Sequence, residues 1–542
     1  MIKRIELILS PRESTDDSFI EELVRENLSL KKNDALHIEK DRSSIDARSR
    51  TPRISLLINA YVNETPKEKP PVKSFYKKIS DKKKIIIVGA GPAGYFAALE
   101  LIENGIKPVI FDRGKDARER RKDLRAIQQF SIVNPDSNYC FGEGGAGTYS
   151  DGKLYTRSHK RGDIDKALRI LVEHGANGNI LVESHPHIGS NKLPGIIQEI
   201  RETIIKFGGE VHFDSKVTDL ILENDTIKGV IVNNKEEHIS DAVILATGHS
   251  ARDIFFILQK KKIYLEAKPF AIGIRAEHPQ ELIDEIQYKQ NPRDEYLPAS
   301  SYKLVAQADG RGVFSFCMCP GGLIVPSATA PGELVVNGMS LSRRDSPYAN
   351  SGIVVALETD DYKKILNEIK KINPKEADKV REEFKNENNL SEISSEFDGL
   401  IIQALIEKRF FNASGKDTQQ APAQKITDFV KGIESSSLNE TSYIPGIYSH
   451  NFENILPEFF AHRLKSAFVD YGKKMKGYFS DEGMMVGVES RTSSPLKIPR
   501  NKSDYQHTQI KNLYPCGEGA GYAGGIISAA LDGQNVAKAI TG

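Results

Sequence analysis

Lys84-Ile-Ile-Ile-Val88 is followed at once by Gly89-Ala-Gly-Pro-Ala-Gly94, and this stretch decides the fold. The apolar run is unbroken rather than alternating, which is typical of a strand that is buried on both faces of a parallel sheet. Apolar residues then recur at helical spacing, and a second strand at 108–111 ends in Asp112. The sequence therefore predicts a strand, a glycine turn, a helix and a second strand, which together open a Rossmann-like domain.

Each position of the glycine turn has a physical task. Gly89 permits a tight turn, Gly91 lets the backbone approach a pyrophosphate, and Gly94 allows close packing of the helix on the strand. The helix N-terminus offers free N–H groups and the positive end of its dipole to phosphate oxygens. Asp112 stands 18 residues after Gly94, at the spacing of an acid that accepts hydrogen bonds from ribose hydroxyls. This complete context favours a dinucleotide site over an ordinary glycine turn.

The same glycine pattern occurs twice more, at 142–147 and at 519–524. Neither copy follows a full buried strand inside a βαβ unit, so the spacing does not indicate further NAD sites. We find no second complete fingerprint for NAD(P)H. A nicotinamide electron donor would have to visit a shared pocket, or the electrons would come from a redox protein partner.

The bulk composition limits the possible classes of protein. With 542 residues the chain is too long for one simple core, and two or three domains are expected. Lys and Arg number 75 against 74 Asp and Glu, so net charge gives no support to a nucleic-acid partner. Four cysteines are too few for a disulfide framework and favour the reducing cytoplasm. No apolar run reaches the roughly 18 residues of a membrane span.

Three dispersed segments resemble the flavoprotein group that holds FAD in an extended Rossmann domain. The group includes p-hydroxybenzoate hydroxylase, fumarate reductase flavoprotein and geranylgeranyl reductase. The segments are IIIVGAGPAG with Asp112, the ATG turn at 246–248, and LYPCGE at 513–518, which Gly524-Gly-Ile526 follows. In the group's third segment Asp usually follows the glycine, whereas this chain has Glu518.

The closer resemblance is to a family described only as FAD-dependent dehydrogenases. The phrases that carry it are FGEGGAGTYSDGKL (141–154), FCMCPGG (316–322), VESRTSSP (488–495) and YPCGEGAGYAGGIISAALDG (514–533). They run from about residue 80 to the C-terminus. The N-terminal unit is similar in type to what that family carries, but its match is less specific.

The resemblance implies that FAD is the cofactor. It implies that the backbone of 144–148 lies near the pyrophosphate or the flavin ring and that Val217 contacts the adenine. Gly525 and Ile526 would open a helix toward N1 and the C2 carbonyl of the flavin, where reduced flavin carries negative charge that a helix N-terminus stabilises. The implied cofactor-binding positions are Gly89, Gly91, Pro92, Ala93, Gly94, Asp112, Arg113, Gly144, Gly145, Ala146, Gly147, Thr148, Val217, Ala246, Thr247, Gly248, Gly517, Glu518, Gly524, Gly525 and Ile526.

The predicted architecture is α/β, with a discontinuous Rossmann-like FAD-binding domain, an inserted α+β substrate domain and a small βαββ-type N-terminal domain. We place the N-terminal domain at 1–66, a Pro- and Lys-rich linker at 67–80, and the first part of the FAD-binding domain at 81–250. The substrate domain takes 251–480, and the C-terminal part of the FAD-binding domain takes 481–542. The site is expected where the two larger domains meet.

Two thiols are the first catalytic candidates. Positions two apart in a strand point to one face, so Cys317 and Cys319 are expected to line one wall of the site. A thiol there acts as a proton donor or traps an electrophile. The alternative is two small buried residues. A metal site is disfavoured, because this pair supplies only two ligands and no further Cys or His pair accompanies it.

The other candidates are basic. Arg491, followed by three hydroxyl residues, suits a carboxylate or phosphate, with an internal salt bridge between domains as the alternative. His187, beside His185 in a loop, is a candidate proton shuttle or a structural histidine. Arg343 and Arg344 are either an anion site or a solvated basic pair.

These features favour an FAD-dependent oxidoreductase that transfers hydride between flavin N5 and an unidentified small organic substrate. One alternative is an RNA-modifying flavoprotein, suggested by the basic stretch 40–53 but opposed by the balanced charge and the lack of an RNA-binding motif. The other is a non-catalytic FAD-bound sensor or assembly factor that uses the N-terminal unit as its partner module.

Overall fold

The computed structural model describes residues 2–156 and 162–542, with the backbone alone described at 80–82. Its helices are α1 Asp17–Asn27, α2 Pro92–Glu103, α3 Arg120–Phe130, α4 Ile164–Glu173, α5 Leu193–Lys206, α6 Arg252–Lys260, α7 Gln280–Tyr288, α8 Asp361–Ile372, α9 Glu376–Glu387, α10 Asp398–Asn412, α11 Ile426–Lys431, α12 Glu458–Lys474 and α13 Ile526–Thr541. Its strands are β1 Ile2–Leu9, β2 Leu36–Asp46, β3 Arg53–Val62, β4 Ser80–Val88, β5 Ile106–Phe111, β6 Glu210–His212, β7 Val217–Glu223, β8 Thr226–Val232, β9 Glu236–Ile239, β10 Ala242–Leu245, β11 Glu266–Ala267, β12 Phe270–Pro279, β13 Val305–Ala308, β14 Arg311–Cys319, β15 Gly322–Pro326, β16 Val336–Ser340, β17 Tyr348–Leu357, β18 Ala421–Lys425, β19 Ile447–Ser449, β20 Met484–Glu489, β21 Leu496–Lys497 and β22 Leu513–Pro515. None of the helices within these residues is long and apolar enough to cross a bilayer.

The N-terminal unit has the predicted βαββ order. Its three strands form an antiparallel sheet in the order β1-β3-β2, and α1 packs Ile20 and Val24 into its core. Asp16 caps α1 by accepting hydrogen bonds from two backbone N–H groups of the first turn. Strand β2 continues through the polar stretch from Lys40 to Asp46. Pairing with β3 supplies the ladder there, and the polar side chains are exposed or half-buried.

The linker is docked rather than free. Within 67–80, a short 3-10 helix at Val72–Phe75 buries Val72. The Glu173 carboxylate, at the end of α4, accepts hydrogen bonds from the backbone N–H groups of Val72 at 2.6 Å and Lys73 at 3.0 Å. The N-terminal unit is therefore joined to the next domain by a fixed connection.

The Rossmann-like domain has a five-stranded parallel sheet in the order β22-β10-β4-β5-β6. The side chains of Ile85, Ile86 and Ile87 in β4 are completely buried, as the unbroken apolar run predicts. Helices α2 and α13 pack directly on each other. A Cβ on Gly533 of α13 would lie 2.1 Å from the Ala93 carbonyl oxygen, so only glycine permits this approach. Because β22 joins the sheet from the far end of the chain, the prediction of a discontinuous Rossmann-like domain is confirmed.

The inserted unit is built on a seven-stranded, mainly antiparallel sheet in the order β13-β14-β17-β12-β20-β18-β19. Strand β20 lies between β12 and β18 of this sheet. The chain therefore returns to the Rossmann-like domain after Glu489, not at the expected residue 481. The charged segment 363–392 contains most of α8 and all of α9, and each of these helices buries one apolar face.

Candidate functional site

A cleft of about 370 Å³ opens at the carboxyl ends of the parallel strands, within the roughly 300–1,000 Å³ of a small-molecule site. Strands β4, β5 and β10 each deliver the residues that follow them to its wall, which is the position expected for a nucleotide in this topology. The predicted positions found on the wall are Gly89, Gly91, Pro92, Ala93, Asp112, Arg113, Gly145, Ala146, Gly147, Val217, Ala246, Thr247, Gly248, Glu518, Gly524, Gly525 and Ile526.

Two glycines of the cleft wall lie side by side, because a Cβ on Gly145 would lie 3.4 Å from the Cα of Gly91. A Cβ on Gly91 would meet nothing closer than the Cα of Gly145, at 4.0 Å. Helix α2 begins after Gly91, and α13 begins after Gly525, and neither start is capped by a side chain. The first N–H groups of both helices therefore remain available to negatively charged oxygen atoms of a ligand.

Asp112 is buried at the edge of the cleft and holds the glycine turn. One carboxylate oxygen accepts a hydrogen bond from the Ala90 N–H at 2.8 Å, and the other accepts one from the Gly114 N–H at 2.9 Å. Ionised carboxylate oxygens have further lone pairs, so Asp112 retains capacity for the ribose hydroxyls predicted for it. The neighbouring Arg113 lies over the Phe141 ring, 4.6 Å from its centroid, and pairs with Asp253.

Four predicted cofactor-binding positions stand behind the wall instead of on it. A Cβ on Gly94 would lie 2.0 Å from the Gly89 carbonyl oxygen, which is the close packing predicted for it. The Gly144 N–H donates to the Ala90 carbonyl at 2.8 Å, and Thr148 donates its hydroxyl within its own loop. The Gly517 N–H donates to the Asp532 carboxylate at 2.7 Å. These groups are occupied in supporting the loops, so direct cofactor contact is not their role in this structure.

The two candidate thiols do not share one wall. Strand β14 has a bulge between Phe316 and Cys319, and Cys317 within it adopts the left-handed φ of +43°. The extra residue breaks the two-residue alternation on which the prediction relied. Cys317 lines the cleft, whereas Cys319 is completely buried and donates its S–H to the Cys317 carbonyl oxygen at 3.3 Å.

Positive charge surrounds Cys317. The buried Arg275 donates to the Cys317 carbonyl oxygen at 2.6 Å, and Lys153, which also lines the cleft, donates to the Met318 carbonyl. The pKa of Cys317 is lowered by its interaction with the Cys319 side chain and by Lys153 and Arg275, which favour the thiolate, and these effects together outweigh burial. The same pairing raises the pKa of Cys319. A low thiol pKa in a cleft is a feature of reactive cysteines.

The predicted anion site at Arg343 and Arg344 is not formed. Arg344 pairs with the buried Asp151 at 2.5 Å, while Arg343 is exposed. Asp151 also lies 3.8 Å from Lys153, so it connects Arg344 to the charges near Cys317.

Arg491 lines the cleft, but an internal charge network holds it. An internal salt bridge between domains was the alternative to an anion-binding role for this residue. Its guanidinium pairs with Glu407 at 2.9 Å and Glu333 at 3.0 Å, and donates to Thr329 at 2.5 Å. Arg252 of α6 pairs with the same two carboxylates. The network joins the inserted unit to the Rossmann-like domain at both points where the chain crosses between them. Arg491 is therefore mainly a structural residue, because most of its donors are already used.

His187 lies outside the cleft wall, with its Nε2 3.2 Å from the Ser342 carbonyl oxygen. Burial and the nearby Arg344 lower its pKa. The histidine on the wall is His249, directly after the predicted ATG turn. Burial, Arg491 and Lys268 lower the pKa of His249 to about 4, so its ring is uncharged at neutral pH. His249 was not among the predicted site residues, although it directly follows the predicted turn at 246–248.

Glu518 also lines the cleft, and its environment is unusual for a carboxyl group. Burial raises its pKa to about 7, and the nearby Lys268 only partly opposes this. Glu518 therefore titrates close to neutral pH. Among the residues that the structure describes, no group of three or more His, Cys, Asp or Glu side chains is placed to hold a metal ion.

Comparison with known proteins identifies the family. Residues 269–492 match the family described as FAD-dependent protein, C-terminal domain-like, and residues 1–61 match a domain of unknown function, DUF8436. An uncharacterized protein of Clostridium beijerinckii (strain ATCC 51743 / NCIMB 8052) is 36% identical over 550 residues, which cover 97% of this chain and 97% of that protein. The chain belongs to this family of FAD-dependent proteins. Its cofactor is FAD, and the open glycine loops and uncapped helix starts of the cleft fit that cofactor.

Solved flavoprotein structures match this chain with low TM-scores. FqzB is 12% identical with a TM-score of 0.32, covering 86% of this chain and 80% of its own. CtdE, solved in complex with FAD, is 11% identical with a TM-score of 0.28, covering 84% and 82%. Glycine oxidase from Bacillus cereus is 12% identical with a TM-score of 0.28, covering 84% and 94%. The family's fold therefore rests on the strand order described above.

Proposed function

We propose that the protein is an FAD-dependent oxidoreductase that transfers hydride between flavin N5 and a small organic substrate. One observation carries the proposal: the wall of one cleft combines the glycine turn at Gly91 with titratable groups from both large units. His249 comes from the Rossmann-like domain and Cys317 from the inserted sheet. A flavin enzyme must place a substrate beside the ring and move a proton. The cleft offers a wall against which a substrate can be placed and, in His249 and Cys317, side chains that can exchange a proton.

The cofactor would lie along the cleft in one direction. We place its pyrophosphate beside Gly91 and Gly145, against the start of α2, and its adenine toward Val217. The flavin end would then lie toward Gly525, whose helix start favours negative charge. When bound, FAD supplies the acceptance and donation of hydride.

Three side chains at the flavin end have distinct proposed roles. His249 is uncharged and takes up the proton that a substrate releases. Cys317, as a thiolate, is a nucleophile or a base, and Lys153 stabilises its charge. Because Cys319 is fully buried, it does not contact substrate.

The electron partner is a separate part of the proposal. The described residues contain one strand-glycine-helix fingerprint, and it belongs to the FAD cleft. NADH or NADPH would therefore donate by visiting this cleft, or a redox protein would deliver the electrons.

The first experiment is an absorbance spectrum of the purified protein, recorded anaerobically before and after addition of NADH or NADPH. Flavin bands that bleach identify a nicotinamide donor and lead to a screen of electron acceptors. Bands that persist reject a direct nicotinamide donor and lead to a screen of oxidisable substrates and redox proteins.

Once a substrate is found, His249→Gln tests the site. We expect its flavin reduction rate to fall about 10²–10⁴-fold, the usual contribution of a positioned acid or base, with FAD still bound. The control is His185→Gln, which changes an exposed histidine and leaves the rate unchanged. Flavin that no donor or substrate reduces, or equal rates in both variants, would contradict the proposed chemistry and favour a non-catalytic sensor.

A further inference from the structure

The bulge in β14 gives its two cysteines different surroundings, because Cys317 lines the cleft and Cys319 is fully buried. Cys317 adopts a left-handed conformation that L side chains rarely occupy, and this conformation turns its side chain into the cleft. Cys319 stands two residues further along β14, with its sulfur 3.3 Å from the Cys317 carbonyl oxygen. Strained residues of this kind persist where surrounding structure fixes them, and Arg275 does so here by donating to the same carbonyl at 2.6 Å.

The surroundings give the two sulfurs different chemistry. Lys153 and Arg275 stabilise negative charge on Cys317, the sulfur that faces the cleft. Cys319 is enclosed by protein, with the Arg275 guanidinium 3.6 Å from its sulfur. A thiolate in front of a protonated thiol is the arrangement that thiol–disulfide chemistry requires, because the thiolate is the reactive species.

We propose that Cys317 and Cys319 form a two-electron redox pair that exchanges electrons with the FAD bound in the same cleft. In the oxidising direction the Cys319 S–H bond breaks and an S–S bond forms between the two sulfurs. The electron pair and the released proton pass to oxidised FAD, giving a disulfide and FADH⁻. The reverse step returns the thiolate and the thiol. This inference rests on FAD in the cleft and does not depend on the organic substrate of the preceding proposal.

The test counts electrons in the holoprotein after oxidation with ferricyanide and removal of that reagent. Anaerobic titration with dithionite is expected to consume four electrons per FAD, two for the flavin and two for the disulfide. Cys319→Ala is expected to consume two. Cys140→Ser removes the other cysteine of the cleft wall and is expected to keep four.

A second measurement needs no variant. The wild-type protein is alkylated before and after dithionite reduction and digested with trypsin, which leaves both sulfurs on one peptide, 312–343. The oxidised sample should give this peptide unalkylated and lighter by two hydrogens. Dithionite should convert it to the doubly alkylated form much faster in the holoprotein than in protein stripped of FAD.

Each result decides the proposal. Two electrons per FAD in the wild type together with no disulfide peptide would overturn it, and so would equal conversion rates with and without FAD. Neither readout involves a substrate, so this failure is distinct from a failure of the hydride-transfer proposal.

Discussion

Replacing Gly91 with alanine should separate cofactor binding from folding. Gly91 has φ −80° and ψ −176°, a conformation open to any residue, and its added Cβ would lie 4.0 Å from the nearest atom, the Cα of Gly145. The protein without FAD should therefore keep its stability or gain about 0.4–1 kcal/mol, because alanine restricts the unfolded chain. In the holoprotein the methyl group would occupy the space proposed for the pyrophosphate.

The size of the affinity loss follows from the crowding. An added methyl group in a well-packed site costs about 1–3 kcal/mol, and each 1.4 kcal/mol changes affinity tenfold. We expect Gly91→Ala to weaken FAD binding roughly 5- to 150-fold, measured by titrating the apoprotein with FAD and following flavin fluorescence. Urea unfolding of the same apoprotein measures stability.

Gly94→Ala is the matched comparison. Its Cβ would lie 2.0 Å from the Gly89 carbonyl oxygen, so α2 would have to move away from β4. This variant should lose unfolding free energy even without FAD, whereas Gly91→Ala should not. If Gly91→Ala bound FAD as tightly as the wild type, the pyrophosphate would not lie at the start of α2, and the proposed orientation of the cofactor would be wrong.

Two further substitutions test the buried charges. Glu407→Gln removes one of the two carboxylates that pair with Arg491 and should lower the free energy of unfolding by about 3–5 kcal/mol in urea titrations. The control is Glu382→Gln at an exposed ion pair, which should change the free energy of unfolding by less than about 1 kcal/mol. Equal effects of the two substitutions would show that the network is not stabilising. Burial raises the pKa of Glu277 to about 7 from 4.5, so its contribution to stability is full below pH 4.5 and is lost as pH rises through 7. Glu277→Gln should therefore remove part of the fall in unfolding free energy between pH 5 and pH 8, and an unchanged pH profile would refute the burial argument.

The Rossmann-like part was predictable because its signal is local. The strand, the turn and the helix start at Gly91 all lie within a short stretch, and each residue type has one physical reason to be there. The helix start at Gly525 was predictable for the same reason, through the resemblance of its segment. The position of Asp112 was predictable from the spacing between the glycine turn and the end of the next strand.

The rest of the site depends on partners that sequence order does not reveal. Whether Cys317 and Cys319 share a face depends on the bulge, which is visible only in the register of β14 against β17. Arg491 pairs with Glu407 and Glu333, and both of these residues are far from Arg491 in the sequence. The assignment of β20 to the inserted sheet likewise rests on pairing with strands that are distant in sequence.

The charge network has a consequence for how the chain folds. Val243 of β10 pairs with Leu513 of β22, although the whole inserted unit lies between them. Closing so long a loop has an entropic penalty that grows with the logarithm of its length. Arg252 and Arg491 stand at the two ends of the insertion and share Glu407, so once the inserted unit has folded it holds its own ends side by side. The folded insertion then shortens the effective loop between β10 and β22, so the last strand of the parallel sheet pairs at a lower entropic penalty.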